Sequence, residues 1–162
     1  MIMRPSLILF LIIGFCGCSD RKFRQPARSA MAPTIQPNEV IVADMHAYQN
    51  ATPQRWEVVV LHPPAAASPE TTVWTLRVVG LPGERISIES DGIHIDGKLV
   101  PQPESLRAIR YTGGNLRVRS AFPHAIPTNS YFVLGDNTAD SFDSRFWGAI
   151  PLKSILGRVR NK

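Results

Sequence analysis

The stretch Tyr131 to Arg158, YFVLGDNTADSFDSRFWGAIPLKSILGR, decides how the rest of the chain is read. It opens with four apolar residues, Tyr131 to Leu134, the pattern of a short buried strand. Gly135-Asp136-Asn137 ends that strand, and Asp and Asn side chains can hold the backbone of a loop. Asp143 and Arg145 lie two residues apart in the loop that follows. Their spacing alone fits a solvated surface pair as well as a structural one. The closing segment, GAIPLKSILGRV, reads as a short helical turn and a strand.

Short strands recur toward the N-terminus. Val40 to Val42 form one, and RWEVVVLHPP carries a second that stops at Pro63-Pro64. Val73 to Val79 form a third, then Leu81-Pro82-Gly83 supplies a sharp turn into a fourth from Arg85. Ile93 and Ile95 alternate with His94 and Asp96 between Asp91-Gly92 and Asp96-Gly97, dipeptides that accept positive φ in tight hairpins. Fourteen prolines and eleven glycines in 162 residues break the chain often, and no helical period of ten residues survives beyond the leader. A mostly β domain of antiparallel sheets follows.

The first 18 residues stand apart. Arg4 precedes an apolar run from Leu7 to Phe15, too short for a comfortable membrane span, which takes about 20 residues. The run has the length of a signal-peptide core. It ends in FCGCSD, which resembles a lipoprotein cleavage site with Cys18 as the lipid-bearing residue; a short uncleaved anchor is the other reading. Residues 19–28, SDRKFRQPAR, read as a basic tether, leaving 29–162 as the folded domain. Arg21, Lys22, Arg24 and Arg28 follow the apolar run, against the usual cytoplasmic bias of positive charge. Both cysteines lie in the leader, so the domain has neither a disulfide framework nor a thiolate metal site.

Three segments together resemble the type I signal peptidase (leader peptidase) family of Ser/Lys-dyad serine peptidases. They are AMAPTI from Ala30, LRVVGLPGERI from Leu76, and the 131–158 stretch. They match Ser-Met-x-Pro-Thr, Lys-Arg-x-Val-Gly-Leu-Pro-Gly-Asp/Glu, and Gly-Asp-Asn followed by Ser-x-Asp-Ser-Arg, in the family's order. The resemblance implies that family's fold of coiled antiparallel sheets with little helix. It also implies a peptide groove shaped by the matched residues Met31, Pro33, Arg77, Gly135, Asp136, Asn137, Ser141, Asp143 and Arg145. Asp143 and Arg145 would form an ion pair there, and Ser141 would stand where the family hydrogen-bonds its lysine.

The match departs from the family at its reactive centre. The nucleophile position holds Ala30 and the base position, directly before Arg77, holds Leu76; Arg28 stands two before Ala30. A serine needs a base to take its proton, and here both positions are apolar. A lysine buried without its partner would be a costly polar group, and leucine fills similar volume without charge. Ser29 is the fallback nucleophile, but a one-residue slip in an extended segment turns a side chain to the opposite face. Neither Lys98 nor Lys153 is placed to serve it, and His46, His62, His94 and His124 lack a triad context.

The expectation is therefore a catalytically inactive member, held at the outer membrane face through its N-terminus, binding exported or signal-bearing polypeptides. The alternatives are an active peptidase using Ser29, and a structural lipoprotein scaffold. No cofactor or metal is expected: the chain has no His-x-x-x-His or paired-cysteine spacing, and VVGLPGE is no nucleotide loop. The net charge of +5 is scattered, without the aromatic-interleaved basic stripe of a nucleic-acid binder.

Overall fold

A computed structural model describes residues 19–25, 30–65, 67, 73–111, 122–160 and 162. The apolar leader, Cys18, Arg28 and Ser29 lie outside the described residues. In chain order the strands are β1 (Asp20–Arg24), β2 (Val40–Asp44), β3 (Val58–Leu61), β4 (Trp74–Gly80), β5 (Arg85–Ile88), β6 (Ile93–Ile95), β7 (Lys98–Leu99), β8 (His124–Ala125), β9 (Ser130–Leu134), β10 (Ile150–Pro151) and β11 (Ile155–Val159). Among the described residues, helix is confined to one turn, α1 (Ser144–Trp147), and two 3-10 turns, Glu104–Leu106 and Leu152–Ser154. None of these is long and apolar enough to cross a membrane.

The strands form two antiparallel sheets. The larger runs β1-β2-β11-β3-β4-β9-β10 and the smaller β7-β6-β5-β8. Two cores result, and β4 and β9 divide them. Period-two alternation sends Leu76, Val78, Tyr131 and Val133 into the first core, and Val79, Phe132 and Leu134 into the second. Burying each such side chain contributes about 1.5–3 kcal/mol. Opposite β9 the register shifts between Val78 and Gly80. A Cβ at Gly80 would collide with Ile126 and Phe132, so this strand needs glycine there. The Asp96-Gly97 pair takes positive φ, +50° and +77°, and closes the β6–β7 hairpin as its sequence foretold.

The basic tether is the clearest correction. Asp20 to Arg24 pair residue by residue with Asp44 to Val40 as an edge strand of the larger sheet. Phe23 packs on the first core, and the Ser19 hydroxyl donates to Asp44 Oδ1 at 2.8 Å. One inward aromatic and the ladder bonds hold a strand whose other residues are polar. The folded unit thus includes Ser19 to Gln25, and the boundary at residue 29 is too late. The sheet also coils strongly. Gln25 immediately follows β1, yet its side-chain amide donates at 3.0 Å to Thr75 Oγ1 on β4, with β2, β11 and β3 between the two strands in the sheet order.

Candidate functional site

The free edge of β4 is the starting point. Trp74, Thr75 and Leu76 pair with Leu61, Val60 and Val59 of β3. On the opposite side β9 pairs only from Arg77 onward, so among the described residues this half of β4 has no strand there. A pocket of about 310 Å³ opens beside it. Ala30, Leu76, Val73, Trp74 and Phe142 give it apolar walls. Gln25 and Thr75 line it as a hydrogen-bonded pair, and Asp140 is the one ionisable residue on its described lining. Leu76 is 1% exposed and lies deep; Phe142 is 45% exposed and stands at the rim, edge-on to Trp74. The two positions that the motif match assigns to nucleophile and base therefore share one cavity.

Arg77, next to Leu76, points to the other face. Its guanidinium grips Asp136 through two bonds, Nε to Oδ1 at 2.8 Å and Nη2 to Oδ2 at 2.6 Å. Nη1 donates to the Trp56 carbonyl at 2.7 Å. Thr34 Oγ1 and the Tyr111 hydroxyl also donate to Asp136. Burial alone would lower the pKa of Arg77, but Asp136 outweighs it and raises the value above the ordinary one. Burial, then the Asp136 charge, push the Tyr111 hydroxyl far above its usual range. Trp56 sits at φ +74°, a conformation that costs about 1–3 kcal/mol for a bulky residue. Its bond to Arg77 and its stacking on Tyr111 hold it there. This network ties four chain segments around one carboxylate.

Asp143 and Arg145 form the second pair, and it is no surface pair. Asp143 is fully buried and Arg145 is 2% exposed. Nε and Nη2 of Arg145 meet the two carboxylate oxygens at 2.7 Å each. Asp143 also accepts from the backbone N–H of Gly135 at 2.9 Å and caps α1 through the N–H of Arg145. Arg145 Nη1 donates to the Thr138 carbonyl at 2.8 Å, which closes the loop between β9 and α1. The ion pair implied by the family match is present, with its charges desolvated and mutually satisfied.

Between these pairs lies Gly135. A Cβ there would collide with Ser141 Oγ and the Ala30 carbonyl oxygen. Glycine alone permits that approach, and Asn137 N–H then donates to the Ala30 carbonyl at 2.9 Å. The Ser141 hydroxyl is buried and has no hydrogen-bond partner among the described residues. Met31 is fully buried in the first core, and its carbonyl accepts from Ile35 N–H in the turn that carries Ala30. Pro33 is exposed on that turn. Sequence reading missed Gln25, Thr34, Trp56, Thr75, Tyr111 and Phe142. Thr34 lies within a quoted motif; Tyr111 sits in RAIRYT, which carries no local signal. Glu89, Asp91 and His94 gather at the β5–β6 turn, where His94 Nε2 lies 2.8 Å from Asp91 Oδ1.

A family model, signal peptidase, peptidase S26, matches residues 2–162. The chain belongs to that family. Among its relatives, the probable signal peptidase I-2 of Synechocystis sp. is 30% identical over 133 residues, covering 81% of this chain and 57% of that protein. Signal peptidase I V of Bacillus subtilis is 31% identical over 136 residues, covering 80% of this chain and 78% of that one. The chain spans 57% of the length of the Synechocystis protein and 62% of a signal peptidase I from Leptolyngbya laminosa. In structure it resembles a crystallised signal peptidase I from Enterococcus faecalis V583, with a TM-score of 0.51 at 27% identity, over 67% of this chain and 97% of that one.

Proposed function

We propose that this chain keeps the signal-peptidase groove without the peptidase chemistry, and binds exported or signal-bearing polypeptides at the outer face of a membrane. The observation that carries this reading is the pocket shared by Ala30 and Leu76. A Ser/Lys mechanism needs a hydroxyl and a neutral amine in contact, and these two side chains supply a methyl and an isobutyl group. The framing pairs, Arg77–Asp136 and Asp143–Arg145, support a groove whose shape outlives its reaction. The Trp74–Leu76 edge, which among the described residues has no strand on its β9 side, supplies what strand addition requires: a row of backbone donors and acceptors beside side-chain pockets. Residues 1–18 would hold the domain at the membrane, through lipid on Cys18 or as a short anchor.

The test is direct. The purified chain, mixed with a preprotein, leaves it uncut, while a labelled signal peptide shifts the backbone amide NMR signals of Trp74 to Leu76. Cleavage that disappears in Ser29→Ala would establish an active enzyme instead. Neither cleavage nor amide shifts would leave a scaffold. The double variant Ala30→Ser/Leu76→Lys is expected to gain detectable cleavage of the same preprotein.

A further inference from the structure

We infer that the β5–β6 turn is a surface site for one divalent transition-metal cation of the zinc class, held by Glu89, Asp91 and His94. The site shares no residue with the pocket at Ala30 and Leu76, so it stands whether or not that groove binds a peptide.

The hairpin places the ligands. Ile86, Ile88, Ile93 and Ile95 turn into the second core, and the period of two sends Ser87, Glu89 and His94 to the opposite face. The register sets Ser87 against His94 and Ile88 against Ile93. Gly92, at φ +142°, lets the chain turn back, and Glu89 N–H donates to the Gly92 carbonyl at 2.8 Å. Asp91 sits inside that turn. One imidazole nitrogen and one oxygen from each carboxylate then lie within 4.8 Å of one another. His94 Nε2 is 2.8 Å from Asp91 Oδ1, and Nδ1 is 3.7 Å from Glu89 Oε1. Zinc takes such atoms at about 2.0–2.2 Å. The His94 side chain is only 14% exposed, whereas those of Glu89 and Asp91 are 51% and 57% exposed and can rotate onto an ion. Ser87 Oγ donates to Glu89 Oε1 at 2.9 Å and orients that carboxylate from behind.

Charge argues for a cation. The chain carries a formal net charge of +5, yet among the described residues neither Glu89 nor Asp91 is ion-paired with a lysine or arginine. Both face His94 instead. A divalent cation would take the place of the proton that His94 otherwise holds beside them. The imidazole argues for the class of metal. Calcium and magnesium take oxygen ligands, whereas zinc, nickel and copper accept imidazole nitrogen. Three protein ligands leave room for water to complete the shell. The sequence expectation of no metal rested on His-x-x-x-His and paired-cysteine spacings. Here a hairpin assembles Glu-x-Asp-x-x-His from two strands and their turn.

The experiment titrates zinc into the full chain after chelator treatment and follows backbone amide NMR signals. Saturable shifts are expected at Ser87 to Gly97, with one ion bound there per chain. His94→Ala should weaken binding at this turn by about tenfold or more, and Glu89→Gln and Asp91→Asn should each weaken it as well. All three substitutions lie on the outer face of the hairpin, and unchanged amide signals in β4 and β9 would show the fold intact. A hundredfold excess of calcium should displace none of the zinc. Zinc that shifts only signals near Cys16 and Cys18, or near His46, His62 or His124, overturns the inference. So does binding at the turn that His94→Ala leaves unchanged. Displacement by calcium would show a carboxylate site for hard cations and overturn the assignment to the zinc class.

Discussion

The frame of the site and its centre follow opposite rules. The frame consists of two buried, bidentate Arg–Asp pairs with their remaining donors and acceptors satisfied. The centre, between them, is Ala30, Leu76 and a serine hydroxyl with no partner among the described residues. Buried charges persist only when paired, and removing one partner leaves the other uncompensated. Removing one member of either pair therefore costs more stability than removing both. A reactive dyad carries no such penalty when both members become apolar together. The comparison teaches that matched surrounding motifs report on folding, while the chemistry must be read from the two positions they enclose.

The sharpest way to break the comparison is to attack the frame. Asp136→Ala strands the Arg77 guanidinium and frees Thr34 and Tyr111, and it should lower stability by about 3–5 kcal/mol. Urea unfolding of the variant measures that loss. The paired replacement Arg77→Met/Asp136→Leu should lose less than Asp136→Ala alone, because no buried charge remains. An additive result would show the two residues to be independent and would refute the frame.

Asp143→Asn comes next. The amide keeps the shape but loses the charge that Arg145 and the Gly135 N–H address. The expected cost is about 1.5–3 kcal/mol. Because Asp143 holds the loop between β9 and α1, amide exchange should quicken at Gly135 and Arg145 before it does in β5 or β6. Uniform quickening would mean that the pair stabilises the whole fold rather than this loop.

The centre should behave in the reverse sense. Ser141→Ala removes a buried hydroxyl that has no partner among the described residues, and is expected to raise stability by about 1 kcal/mol. A loss of similar size would reveal a partner for that hydroxyl and a polar centre still in use.

How much of this could be read beforehand depends on the range of the interaction. Strand positions were legible because Val58–Leu61, Trp74–Gly80 and Ser130–Leu134 are short apolar runs closed by Pro, Gly or Asp-Asn. Asp20–Arg24 was not, because a single inward Phe23 makes no period and its neighbours are charged. The burial of Asp143 and Arg145 was equally hidden, since a spacing of two says nothing about what covers the pair. Tyr111 to Asp136 and Gln25 to Thr75 are bonds between segments 25 and 50 residues apart. They arise from how far the sheets coil, which no local pattern encodes.

The smallest expected effect contrasts two histidines on the smaller sheet. The hydrogen bond to Asp91 raises the pKa of His94, with Glu89 adding to it. Its stabilisation is fully present below the unfolded value near 6.5 and is lost as pH rises through the higher folded value. Burial lowers the pKa of His124, which packs against Phe132 with centroids 5.4 Å apart. Its contribution is present above 6.5 and is lost as pH falls through the lower folded value. Thermal melts from pH 5 to 8 of the parent, His94→Gln and His124→Gln separate the two. The parent's advantage over His94→Gln should shrink as pH rises past 6.5. Its advantage over His124→Gln should shrink as pH falls below 6.5. Slopes of the same sign would mean that Asp91 does not hold His94 charged, and the turn at Glu89–Gly92 would lose its electrostatic explanation.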